Sequence, residues 1–284
     1  MRGCQRASSN PSCQILRTQA LARAPTLRGM LPLRPVRALL AFALLLLLLV
    51  GLDEAARLIT PSEHGRWLLS TFITTALIGS YGWIAPVLLS WLTKKATPDQ
   101  TQREVIEAAL TERQRFGTQA PSSTQIIPPS PRIVVVASNT PSALSVGTGR
   151  HATVFLSRGL LGLDAGVVRF AIAHEIAHLE ARHPLMQSMY FASLYAMKTL
   201  VGMPPIALAL ALLVYFAGLR QAEHQADRGA AAWLGAAHVE DALRRLAEAL
   251  GETMRPARWV TLLSTHPSLT QRCVALAAGK KNTP

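Results

Sequence analysis

Residues 165–183 read AGVVRFAIAHEIAHLEARH. Val167, Val168, Ala171 and Ile172 recur at helical spacing, and Asp164 just ahead of them is placed to cap the helix. Inside the apolar stretch, His174-Glu175-Ile176-Ala177-His178 sets two imidazoles at i and i+4. That spacing puts them on one helix face, where both can reach one metal ion. Glu175 lies about 100° around the helix from His174, beside the ion rather than on it. A carboxylate there can take a proton from attacking water, whose pKa zinc lowers to around 7. Two histidines and a glutamate in such an apolar helix would be costly to bury without partners, which argues against a chance pair of surface histidines.

A site of this type needs a third protein ligand and keeps a fourth position open. Ala222-Glu223-His224-Gln225-Ala226-Asp227 supplies a second i, i+4 pair. Glu223 can complete a His₂Glu set for one Zn²⁺. Asp227 can accept a hydrogen bond from the outer N–H of a ligand histidine, which fixes its tautomer and raises its basicity. Seen alone, the pair would read as a solvated acidic face. His224 points elsewhere on the helix and is left out of the ligand set.

These residues resemble a family. HEIAHLEARH (174–183) followed by EHQAD (223–227) is similar to the HtpX-type and CAAX-prenyl-protease family of integral-membrane zinc peptidases, whose second motif is E-x-x-x-D. GTGRHATVFLSRGLL (147–161) resembles that family's edge strand and its lead-in, and Thr265-His266-Pro267 through Arg272 resembles its T-H-P…R element. The matches run over roughly 130–275 in the family's order. The resemblance implies protein or peptide substrates lying extended along the edge strand as an added β-strand. It also implies His266 as a donor to the tetrahedral oxyanion, while Arg272 is expected to pair with a carboxylate and order its loop. The chain departs from the family in one place: Ser142-Ala143-Leu144 stands where Asn-Ala-aromatic is usual.

The rest of the chain points to a membrane. Half of the residues are hydrophobic and 16% are charged, and the apolar content lies in long uncharged runs. Ala38–Leu52 is roughly 22 Å of helix and Trp67–Thr93 is longer, bounded by Arg66 and Lys94-Lys95. Pro86 is expected to kink the second span without ending it. Met186–Leu219 is interrupted by Lys198 and Pro204-Pro205. His174, His178 and Glu223 must meet at one ion, so this stretch has to leave and return on one face, as a hairpin or a re-entrant pair.

The net charge of +13 divides unevenly, because residues 1–37 carry seven arginines and no acid. Basic residues beside apolar runs mark cytoplasmic ends and attract anionic membrane lipid. Without interleaved aromatics or a recognised motif, the arginines do not indicate nucleic-acid binding. The three cysteines make no disulfide framework.

The expected fold class is mainly α with a small antiparallel β-ribbon, a gluzincin-type zinc peptidase domain attached to transmembrane helices. The segments are a basic tail, disordered or processed, at 1–37; two transmembrane helices at 38–93; a helix and Pro/Ser-rich linker at 94–131; and the peptidase domain at 132–284, with its hydrophobic insertion at 186–219. The expected function is zinc-dependent hydrolysis of peptide bonds in membrane-associated or misfolded proteins. The rival is a catalytically silent membrane scaffold that keeps the zinc fold, and the presence of Glu175 speaks against it. The expected location is a bacterial inner membrane with a cytoplasmic active site; the alternative is the mitochondrial inner membrane.

Overall fold

The structure, a computed structural model, describes residues 58–59, 62–119, 130–202, 204–251 and 267–279. The basic tail at 1–37, the first hydrophobic run Ala38–Leu52, most of the linker after Gly117, and His266 lie outside the described residues.

Helix α1 (Glu63–Gly79) is capped by Ser62, whose hydroxyl accepts from the Gly65 N–H, and α2 (Tyr81–Leu92) follows at once. The two are bent by 64°. The run expected to form one helix is thus divided, and the break falls at Gly79-Ser80 rather than at Pro86, which sits inside α2. Gly/Ser pairs are a known cause of sharp kinks. Here the Ser80 hydroxyl donates to the Leu77 carbonyl at 2.8 Å.

Helix α3 (Gln100–Gln119) begins with a reciprocal cap. Gln102 N–H donates to Asp99 Oδ1, and Asp99 N–H donates to Gln102 Oε1. The sheet then holds β1 (Arg132–Val136), β2 (Ala143–Val146) and β3 (Thr153–Ser157) in the order β1-β3-β2. The hairpin β2–β3 is antiparallel, with Ala143 opposite Leu156. Strand β1 joins in parallel, Arg132 opposite Thr153, so the ribbon expected to be antiparallel is a mixed sheet. Alternation of side chains marks a strand but does not encode the direction of a distant partner. The buried strand β3 lies in the centre, and the edge is β2, which carries Ala143 and Leu144. Lys94–Ala96 cover part of the outer edge of β1. Among the described residues no strand pairs with the outer edge of β2.

After a single turn, α4 (Arg158–Leu161), comes α5 (Ala165–Glu180), capped by Asp164. Apolar on almost every side, α5 is buried as such a helix must be. Phe170, Ile172 and Ile176 sit in one cluster with Leu156, Leu160, Val239 and Leu243. Arg113 on α3 donates to Glu180 and Arg169 on α5 donates to Glu112, tying the two helices together. Arg182, left-handed at φ 57°, turns the chain into α6 (His183–Val201). Gly202, at φ 70°, and Pro204 then lead into α7 (Pro205–Leu234), where Tyr190 of α6 stacks on Tyr215. Helices α8 (Ala236–Leu250) and α9 (Leu269–Gly279) complete the described chain.

At about 45 Å, α7 has two characters. Its apolar window is 0% buried within the fold, and it is long and apolar enough to cross a membrane. Its later part buries Glu223, Ala226, Asp227 and Ala230 against the domain. Phe72, Val87, Met186, Val201, Ile206 and Val214 are all exposed, on α1, α2, α6 and α7. Such a collection of exposed apolar side chains fits lipid rather than water. Helix α6 packs against both α1 and α2: a β-carbon at Gly79 of α1 would lie 3.9 Å from Ala192, and one at Gly82 of α2 3.9 Å from Ser188.

Candidate metal centre

The centre is assembled where α5 meets the buried part of α7. The helices approach closely at Gly229, where a β-carbon would stand 2.8 Å from that of Ala177. This close crossing sets Glu223 opposite the imidazole face of α5. His174 Nε2 and His178 Nε2 are 3.1 Å apart. Glu223 Oε2 lies 3.4 Å from the first and Oε1 3.3 Å from the second. All three residues are buried.

Outer hydrogen bonds determine what this triangle can hold. His174 Nδ1 has two neighbours, Asp227 Oδ1 at 3.0 Å, which can only accept, and Arg272 Nη2 at 3.2 Å, which can only donate. The carboxylate is the nearer and Arg272 Nη2 is already spent on it, which favours the imidazole hydrogen on Nδ1. The Nε2 lone pair is then left pointing into the triangle. Asp227 is itself gripped by Arg272 of α9, which donates Nη2–H to Oδ1 at 2.6 Å and Nε–H to Oδ2 at 2.8 Å. Burial would raise the pKa of Asp227, but the hydrogen bonds from Arg272 and His174 outweigh it and lower the value to about 2. The guanidinium carbon of Arg272 stands 5.9 Å from the centre of the Phe170 ring, and Nη1 reaches to 3.7 Å from Glu223 Oε2.

The donor set fits zinc. With bonds of about 2.0–2.1 Å, a tetrahedral ion separates its ligand atoms by about 3.3–3.4 Å. The two imidazole nitrogens are 3.1 Å apart and each lies 3.3–3.4 Å from a different oxygen of Glu223, so one donor atom from each residue falls within 4.8 Å of the others. Burial and Arg272 push the pKa of His174 down, while Asp227, Glu223 and Glu175 push it up and prevail. The same carboxylates favour any cation at this point. Glu175 itself is only partly buried and near enough to act electrostatically on His174.

The structure thus brings together His174, His178, Glu223, Asp227 and Arg272, and sets Glu175 beside them. Arg272 lies buried on a helix rather than in a loop. His224 stays outside the donor group. Two residues without an assigned role in the sequence reading also belong to the centre. His183 Nδ1 lies 2.8 Å from His178 Nδ1, and its Nε2 lies 3.2 Å from Gln225 Oε1.

The profile of Peptidase family M48 matches residues 109–279, more than half of the chain. The chain belongs to peptidase family M48. Among M48 relatives, a protease HtpX homolog of Thermococcus sibiricus is 26% identical over 147 residues, covering 51% of this chain and 47% of the relative. One of Aquifex aeolicus is 33% identical over 110 residues, covering 38% and 34%. One of Pyrococcus furiosus is 25% identical, covering 81% and 91%. The first two alignments therefore span less than half of the relatives' length. The fold is similar to that of the S. mikatae Ste24p crystal structure, with a TM-score of 0.56 and 15% identity over 94% of this chain and 73% of the other. The HtpX-type resemblance carried by HEIAHLEARH and EHQAD agrees with this membership.

Proposed function

We propose that this M48 chain is a membrane-embedded zinc endopeptidase that hydrolyses peptide bonds of membrane-associated or misfolded proteins. The observation that carries the reading is the meeting of His174 Nε2, His178 Nε2 and a Glu223 oxygen within 4.8 Å of one another. When bound there, Zn²⁺ would polarise the scissile carbonyl and make water acidic near neutral pH.

The chain's own residues divide the remaining work. His174, His178 and Glu223 hold the ion. Glu175 takes the proton of the attacking water and returns it to the leaving amine. Asp227, gripped by Arg272, keeps the His174 lone pair turned inward. His266 donates to the oxyanion as the carbonyl becomes tetrahedral. The outer edge of β2, the strand that packs beside α5, offers an extended substrate backbone its hydrogen bonds. Metal analysis combined with cleavage of an unfolded protein, before and after chelation, tests the whole reading. Bound zinc in stoichiometric amount and chelator-sensitive cleavage are expected; absence of zinc, or cleavage unaffected by chelation, defeats it.

The zinc centre, on this reading, faces the cytoplasm of a bacterial cell. Lys94 and Lys95 follow α2, and Arg182 and Arg220 flank the hairpin of α6 and α7, as the positive-inside rule requires of cytoplasmic ends. Glu63 belongs to the stretch 53–66 between the two expected spans, which carries three acidic residues against two arginines and so has no positive excess to hold it inside. In a background without native cysteines, Glu63→Cys should react with a membrane-impermeant thiol reagent in intact cells, and Glu248→Cys only after lysis. Both positions are solvent-exposed. Reaction of Glu248→Cys in intact cells would reverse the orientation.

A further inference from the structure

The two ligand histidines are held from behind by different chemistry. His174 has a carboxylate, Asp227, at its outer nitrogen. His178 has another imidazole, His183, which is buried at 6% exposure and has Gln225 behind it. We propose that His183 is a positioning residue for the metal centre, and that the path Gln225–His183–His178 sets which nitrogen of His178 is available to the ion. The inference rests on the zinc reading above.

Bond direction carries the argument. His178 Nδ1 and His183 Nδ1 are 2.8 Å apart, so one of them donates and the other accepts. Gln225 turns Oε1, an acceptor, toward His183 Nε2 at 3.2 Å. His183 therefore carries its hydrogen on Nε2 and accepts at Nδ1. His178 must then donate from Nδ1, and its Nε2 is bare toward His174 and Glu223. If the path ran the other way, His178 would carry a hydrogen on Nε2, pointing into the triangle where the metal belongs.

The three residues come from three helices. His178 lies in the last turn of α5, His183 opens α6, and Gln225 lies on α7. A spacing of five residues would put His183 about 140° around a continuous helix from His178. The left-handed Arg182 between them folds it back, and the rings meet at 4.9 Å between centroids.

The test measures zinc affinity by chelator competition on the full-length protein in detergent, with the melting temperature of the metal-free form as control. His183→Ala should weaken zinc binding about 10–100-fold, the usual loss when the partner of a ligand histidine is removed. His183→Asn should recover most of it, since its carbonyl can accept from His178 and its amide can donate to Gln225. Gln225 is exposed, so its variants keep the fold if His183→Ala does not. Gln225→Glu can only accept and should bind zinc at least as tightly as the unmodified protein. Gln225→Lys can only donate, which forces the reverse direction and weakens binding. The same two changes at exposed Gln221, one turn earlier, measure the effect of charge alone. Unchanged affinity in His183→Ala overturns the proposal, as does a Gln225 pair no different from its Gln221 controls. Failure of the unmodified protein to take up zinc overturns the function reading, and this with it.

Discussion

Glu175→Gln is expected to lower peptide hydrolysis by about 10²–10⁴-fold or more while leaving the zinc content unchanged. The amide keeps the size of the side chain and cannot accept the proton. Glu175 is outside the triangle of ligand atoms, so the ion should not notice the exchange. Zinc stoichiometry and cleavage measured on one preparation decide the matter. Retained turnover would remove Glu175 from its role as base, and loss of the metal would make it a ligand.

The second large effect is expected at Asp227. Its carboxylate is the bidentate partner of Arg272, and both residues are buried. Asp227→Ala strips the buried guanidinium of its bidentate partner and leaves it only Glu223, 3.7 Å away, a loss of up to about 3–5 kcal/mol. The same change removes the acceptor at His174 Nδ1 and should weaken zinc by about 10–100-fold. The two losses can be separated. Asp227→Leu combined with Arg272→Met replaces the pair by apolar groups, an exchange that is often neutral for stability. The double variant should therefore recover most of its melting temperature and still bind zinc weakly. A single variant as stable and as tight as the unmodified protein would show the pair to be idle. Since the pKa of Asp227 is lowered to about 2, its contribution to stability is complete above the ordinary carboxylate value of about 4 and is lost as the pH falls toward 2.

Much of this centre could be read directly from the chain because both motifs obey helical spacing. His174 and His178 share a face, and so do Glu223 and Asp227; a period of 3.6 residues is enough to see that. The gap between the motifs also requires the chain to come back to one ion, and Pro204 and Pro205 stand between α6 and α7. What stayed hidden depends on backbone choices that residue types do not announce. Arg182 adopts a left-handed conformation that is usual for glycine, so the contact between His178 and His183 leaves no periodic trace. The bend at Gly79-Ser80 lies in an uninterrupted uncharged run whose visible breaker was Pro86. The parallel partnership of β1 and β3 joins segments about twenty residues apart, and neither strand carries a mark of it.

One rigid element, α7, carries lipid-facing side chains at its start and a candidate zinc ligand further along, with no break between Pro205 and Leu234. A helix in a bilayer answers a mismatch in hydrocarbon thickness by tilting. Without a break in α7, tilt of the first half would be passed on toward Glu223, whereas His174 and His178 ride on a separate helix held in the domain core. If the proposed zinc site and membrane placement hold, the spacing of the donors would follow acyl-chain length, and the lipid surroundings would become a tuning variable of the centre itself.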